Sequence, residues 1–201
     1  ITNRLVRYGC MKREDTRINI LDTALDLFWQ QSYHGVNMNA LSRAAGLNKA
    51  TVYQYFASKE ELAVAAVQRA AELSEDYIYA STFAETADPL GRLNGIYTKV
   101  YDMHASMHRS EGRCRGCPFV NIGVELATTT EEIRIGVGRA FARFTKYYQA
   151  IADELPAAGD KSDLGASLMA NMNSCLVASK IENRPEAILD GQARALRIVG
   201  L

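Results

Sequence analysis

The chain carries no net charge at pH 7, with 23 Lys and Arg against 23 Asp and Glu. It has no apolar run near the roughly 20 residues that a membrane-spanning helix needs, so no membrane partner is expected. The opening ITNRLVRYGC lacks the apolar core of a secretory signal, which makes the cytoplasm the default location. No stretch alternates apolar and polar residues with period 2, so nothing reads as a half-buried strand. Internal repeats and low-complexity linkers are also missing, which excludes solenoids and tethered modules. Prolines are few, at Pro89, Pro118, Pro156 and Pro185, and none falls in the first third of the chain. Two of the four cysteines, Cys10 and Cys175, indicate only a reducing compartment. What remains is a chain of 201 residues, 48% apolar, with enough material for one small and one larger helical unit.

The most informative stretch is Asn37–Leu62, NMNALSRAAGLNKATVYQYFASKEEL. It reads as a short helix from Met38 to Ala45 capped by Asn37, a turn at Gly46, and a second short helix capped by Asn48. A third helix opens with the capping box Ser58-x-x-Glu61. Helix, glycine turn and helix within about twenty residues is the layout of a helix-turn-helix DNA reader. The second short helix bears Lys49, Thr51, Tyr53, Gln54 and Tyr55, donors and rings suited to base edges and phosphates. Charge is distributed to match. Residues 1–59 hold Arg4, Arg7, Lys12, Arg13, Arg17, Arg43, Lys49 and Lys59 against Glu14, Asp15, Asp22 and Asp26, a net +4 that leaves −4 for the remainder.

Lys49 is the first candidate for a base contact, most simply guanine. Gln54 suits adenine or a phosphate, and Thr51, Tyr53 and Tyr55 suit phosphate oxygens that fix register. Lys59 opens the next helix, whose free N–H groups and dipole favour an anion. Arg43 is either a phosphate contact or a solvated side chain. Leu47, Val52 and Phe56 are read as core.

The segment resembles the DNA-binding region of the tetracycline-repressor (TetR) family of bacterial transcriptional regulators. The matching residues are Ala44-Ala45-Gly46-Leu47, Thr51-Val52-Tyr53-Gln54-Tyr55-Phe56 and Ser58-Lys59-Glu60-Glu61-Leu62, with Thr16–Gly35 as the preceding helix. Asn37 stands where the family usually has Thr, and Asn48 where it usually has Ser; both keep a capping side chain. The resemblance implies an all-α protein, with a three-helix helix-turn-helix unit joined to a larger helical ligand-binding and dimerisation domain. It also implies phosphate roles for Tyr53 and Lys59, double-stranded operator DNA and a small-molecule effector as partners, and no cofactor. The expected divisions are an N-terminal arm over 1–15, the DNA-binding unit over 16–61 and the effector and dimerisation domain over 62–201. Met11 is a second candidate for the start, which would make the first ten residues an upstream extension.

Ile18, Leu21, Leu25 and Phe28 give the first helix a buried face. The prolines divide the second unit into helices near 88–108, 118–128, 131–155, 161–180 and 185–199. Thr129-x-x-Glu132 offers another capping box, Asp160 a cap before Leu164, and helix 4 is expected to run toward Tyr77 without a flexible break. The helices near 161–180 and 185–199 mix Leu164, Leu168, Met169, Met172, Leu176 and Val177 with small residues, and Ala187, Ile188, Gly191, Ala195, Leu196 and Ile198 continue the pattern. The resemblance implies a homodimer through these two helices, against a monomeric core as the plain alternative.

In the middle of the chain, Tyr97, Tyr101, His104 and His108 share one helix face. Cys114-Arg115-Gly116-Cys117 and Pro118 follow, then Asn121 and Glu125, and later Phe141, Phe144 and Tyr148. Such a set suits a small-molecule pocket between helices, where the resemblance puts the effector cavity. The Gly-Cys-Pro start with Asn121 and Glu125 resembles one branch of the family; Phe141 and Phe144 read more simply as core. The cysteines leave three readings open. Cys117 at a helix N-terminus near Arg113 and Arg115 would be a low-pKa reactive thiol with Cys114 resolving it. His104, His108, Cys114 and Cys117 would hold a metal such as zinc. Or both cysteines are structural. The reading is a DNA-binding regulator, a repressor released by a small molecule or electrophile and not an enzyme. The alternatives are a metal-responsive regulator and a thiol redox enzyme.

Overall fold

The structure, a computed structural model, describes residues 13–156 and 160–201. The expectations for Arg4, Arg7, Cys10, Met11 and Lys12 lie outside the described residues. The elements are α1 Arg13–Gln31, α2 Met38–Ala44, α3 Lys49–Tyr55, α4 Lys59–Ser74, a π-helical turn Glu75–Ala80, α5 Ser81–Glu85, α6 Pro89–Glu111, α7 Pro118–Leu126, α8 Glu131–Glu154, α9 Leu164–Ile181 and α10 Ala187–Ile198. The described residues are all-helical, as expected. The chain separates into two compact units between Ala66 and Val67, within α4.

The first unit closes on a core from each of its helices. Ile20, Leu21, Ala24 and Phe28 of α1 are buried with Leu41, Val52, Phe56 and Leu62. Ile18 and Leu25 are only half-buried, so the buried stripe of α1 lies slightly around the helix from the one expected. Asn19 donates to the Ala45 carbonyl at 2.8 Å and ties α1 to the end of α2. Gly46 takes φ +72, and Leu47 N–H returns to the Ser42 carbonyl at 2.9 Å, closing α2 with a left-handed cap.

The second unit packs α8 against α9, α9 against α10, α10 against α6, and α6 and α7 against α8. Pro89 opens α6 behind Asp88, whose carboxylate accepts from Gly91 N–H at 2.6 Å. A Cβ on Gly191 would come 2.7 Å from the Cys175 side chain, so glycine lets α9 and α10 approach closely. Two caps differ from expectation. Thr129 turns its hydroxyl back to the Leu126 carbonyl and Thr130 takes the cap position of α8. Asp160 accepts from Ser162 N–H, an Asx turn upstream, and Asp163 precedes α9. Short polar side chains find local backbone partners before the helix begins, which sequence spacing does not reveal.

At the π turn, the Ser81 and Thr82 hydroxyls take the carbonyls of Tyr77 and Ile78 four residues back, at 2.5 and 2.6 Å. The Ser81 N–H reaches Asp76 five back. Side-chain competition for i−4 acceptors loosens α-register, and a π turn results.

Candidate nucleic-acid interface and effector site

Within the first unit, α3 presents one polar face. Val52 is fully buried, whereas Lys49, Tyr53 and Gln54 are exposed and Thr51 and Tyr55 half-buried. The helix is set by its cap: the Asn48 side chain accepts from Thr51 N–H at 2.7 Å and from the Thr51 hydroxyl at 3.0 Å. Asn37 caps α2 through Ala40 N–H at 2.9 Å. The side-chain oxygens of both asparagines are thus committed to holding the two helices, each cap contributing about 1 kcal/mol. Lys49 Nζ lies 5.7 Å from the Tyr53 ring centre, and Lys59 Nζ 4.0 Å from that of Tyr33. Ser58 and Glu61 cap α4 as expected, Ser58 through Glu61 N–H at 3.0 Å and Glu61 through Ala57 N–H at 2.7 Å. Arg43 is exposed near the end of α2. The face of α3 carries hydrogen-bond donors, the Lys49 cation and the rings of Tyr53 and Tyr55, with no carboxylate on α3 itself.

In the second unit the expected pocket residues separate into two groups. Tyr97, Phe144 and Tyr148 are buried in the core, while Tyr101, His108, Asn121 and Glu125 are half-buried. Phe144 stacks on Tyr79 with centroids 4.7 Å apart, Tyr147 stacks on Tyr79 at 5.2 Å, and Tyr148 meets Tyr79 edge-on at 5.8 Å. Asn171 donates to the Tyr97 hydroxyl at 2.7 Å. Tyr79, Tyr147 and Asn171 were not singled out from the sequence. Asn171 left one signal, a polar residue on the buried face that carries Leu168, Met172 and Cys175. Tyr79 left none, because its π register cannot be read from periodicity.

The Cys114–Cys117 loop is pinned from several sides. Asn183 accepts from Cys114 N–H at 2.8 Å and donates to the Gly112 carbonyl at 3.0 Å, and Asn121 donates to the Arg115 carbonyl at 2.9 Å. Cys117 does stand at the start of α7, as expected. Its thiol is nevertheless pushed up to about 11, because burial outweighs the backbone N–H groups of Val120 and Phe119. Arg115 binds Glu111 through Nε and Nη2, at 2.8 and 2.5 Å. The low-pKa thiolate reading is therefore corrected: the helix N-terminus is present, but desolvation dominates it. Cys114 is also raised, by burial and then by Glu186. Cys114, Cys117 and Cys175 are buried free thiols.

The metal reading finds no support. No three His, Cys, Asp or Glu side chains gather as a ligand set among the described residues. His104 is 1% exposed, with Nδ1 2.9 Å from the Val100 carbonyl and Nε2 3.2 Å from that of Gly116. Both ring nitrogens already face backbone oxygens. Burial lowers its pKa despite those two carbonyls, which act to raise it.

A separate cleft of about 540 Å³ lies toward the chain end, lined by residues that include Leu155, Lys161, Leu164 and Arg197. None of the expected effector residues lines it.

Residues 20–66 match the family model for bacterial regulatory proteins of the tetR family. The chain is 32% identical over 123 residues to an uncharacterised helix-turn-helix transcriptional regulator, YxaF, of Bacillus subtilis strain 168, covering 61% of this chain and 62% of that protein. The chain thus matches less than two thirds of that relative's length. It is 22% identical to the helix-turn-helix transcriptional repressor DhaR of Mycobacterium sp. strain GP1, over 89% of each chain. Among solved structures, a TetR-family regulator from Agrobacterium tumefaciens superposes with a TM-score of 0.80 at 16% identity, covering 92% of this chain and 98% of the other, a likeness of fold. No described helix is long and apolar enough to cross a membrane.

Proposed function

We infer that this chain, a member of the TetR family of bacterial regulatory proteins, is a transcriptional repressor that leaves its operator when a small molecule binds the second unit. The observation that carries the DNA-binding part is the split face of α3, with Val52 buried and Lys49, Tyr53 and Gln54 facing outward. A short helix so mounted enters a major groove, where Lys49 reads a base and Thr51, Tyr53, Tyr55 and Lys59 hold phosphates. Arg43 and Gln54 flank that contact, and Asn37 and Asn48 set its geometry. The family resemblance and a relative named as a repressor support the sign of regulation.

One such reader spans only a few base pairs, so two copies reading a two-fold site fit the function. The exposed side of α9 and α10 supports pairing there. Val177, Ile181 and Leu189 are exposed apolar side chains, and Ala166, Ala170, Ser174 and Ala193 beside them are small and exposed. Effector release follows if the ligand binds one arrangement of the dimer better than the other. The half-buried Tyr101, His108, Asn121 and Glu125 then line the approach to Tyr97, His104, Cys117, Phe144 and Tyr148. The protein works where the DNA is, in the cytoplasm.

The test is selection of a binding site from random duplex DNA, followed by release from that site. A near-palindromic site whose complex is dissociated by a small molecule supports the reading. No enriched site, or only salt-sensitive binding to every sequence, overturns it.

A further inference from the structure

The inward-facing stripe of α1 continues past the core. Ile20, Leu21, Ala24 and Phe28 line its buried part. At about 100° per residue, Arg17 and Arg13 extend the same arc one and two turns further toward the start of the helix. Asp15, Asp22 and Asp26, all exposed, fall on the opposite side, and Glu14 lies at the edge between the two. Thus α1 keeps three of its carboxylates on its outer face and puts two cations on the flank turned to the rest of the unit. Both cations reach the end of α3. The Arg17 guanidinium lies 5.5 Å from the ring centre of Phe56, the residue that closes α3, and that of Arg13 lies 5.9 Å from the ring centre of Tyr55. Both arginines are nevertheless exposed. A ring orients a guanidinium without neutralising it, so the charge remains available to an anion.

We propose that Arg13 and Arg17 are two further phosphate contacts of the DNA interface, carried by α1 and held beside the end of α3 by the rings of Tyr55 and Phe56. The proposal rests on the reading of α3 as the helix that enters the groove. With seven residues, α3 is about 10 Å long, against a major groove roughly 12 Å wide. Groups mounted at its end therefore stand beside the phosphates that border the groove. Tyr55 holds a phosphate in that reading, and Arg13 stands over its ring. The guanidinium suits the task, because its planar fork donates to two phosphate oxygens at once. Contacts of this kind add affinity and fix orientation, and they carry no base preference of their own.

The experiment measures the affinity of the full chain for its selected operator at several salt concentrations. It compares the parent with Arg13→Gln, Arg17→Gln, Arg17→Lys and Arg109→Gln. Each glutamine variant on α1 should lower the slope of log K against log salt by about 0.9 for every copy of the chain on the DNA. Its ranking of operator sequences should stay that of the parent. Arg17→Lys keeps the charge and should recover the parental slope. Arg109→Gln removes an exposed charge from α6 and should leave the slope unchanged, which separates a contact from an effect of net charge. Ethylation of single operator phosphates gives a second readout. The parent should be blocked at phosphates to which Arg17→Gln has become indifferent. If a glutamine variant melts lower than the parent, the ethylation pattern still decides, since a merely structural arginine leaves every phosphate as sensitive as before. The proposal is overturned by unchanged slopes in Arg13→Gln and Arg17→Gln, by an equal loss of slope in Arg109→Gln, or by the same ethylation pattern in parent and Arg17→Gln. If the parent selects no operator, the DNA reading itself fails and takes the proposal with it. If the parent selects one and the α1 variants keep its slope, only the α1 contacts are wrong.

Discussion

His104 Nε2 stands 3.2 Å from the Gly116 carbonyl oxygen, joining the middle of α6 to the loop that enters α7. The ring is almost fully enclosed, and its other nitrogen meets the Val100 carbonyl one turn back. The side chain is therefore a structural clasp for the cysteine loop rather than a metal ligand. Its protonation bears on the stability of the second unit.

A dependence of stability on pH follows from that clasp. Burial lowers the His104 pKa below its ordinary 6.5 in the folded chain. As pH falls through about 6.5 the unfolded state takes up a proton first. The stabilisation is thus fully present above that pH and is lost as pH drops toward the lowered folded value. Urea midpoints should fall between pH 7.5 and 5.5, and fall less for His104→Gln. Parallel pH profiles for the two proteins would remove His104 as the cause.

For the reader, Lys49→Ala should weaken binding to a selected operator by about 1–3 kcal/mol and relax preference at one base position. Lys59→Ala should weaken all sequences alike and lower the salt slope by about one. Titrations at several salt concentrations distinguish the two, and unchanged binding by both variants would show that α3 does not dock as argued.

The dimer prediction depends on which side chains leave the protomer core. Leu176, a natural first choice from spacing, is buried within the protomer, and Leu176→Arg would damage folding instead of pairing. Val177 and Ile181 are the exposed positions. Ile181→Arg should leave helicity unchanged, yield monomers in sedimentation and reduce operator affinity at least about tenfold, since two half-sites are no longer read together. A variant that remains dimeric moves the interface off this face.

For the thiols, Cys117 at about 11 is almost wholly protonated at neutral pH and is shielded as well. Alkylation of Cys117 should be slower than that of a free exposed cysteine, and should rise sharply in denaturant. Fast, selective labelling of the native chain would restore the thiol-sensor reading that its burial argues against.

The DNA-reading unit was legible because its signals are local. Caps at Asn37, Asn48 and Ser58, the turn at Gly46 and the polar run from Lys49 to Tyr55 all act within one or two helical turns. The same holds for the proline-marked starts of α6 and α7. The second unit was legible only as a set of helices. Which of its polar and aromatic residues meet is decided by packing between segments far apart in sequence: Asn171 on Tyr97, Tyr147 on Tyr79, Asn183 on the Cys114 loop. The sign of the Cys117 shift shows the limit most clearly. Its helix N-terminus is a property of neighbouring residues and could be read in advance. Its burial is not, because desolvation depends on everything that packs around the sulfur, and here that outweighs the local field. The sequence by itself determined the helices, the caps at Asn37, Asn48 and Ser58 and the polar run of α3; the tertiary structure alone decided which side chains lost water, and so which of them keep chemistry to offer.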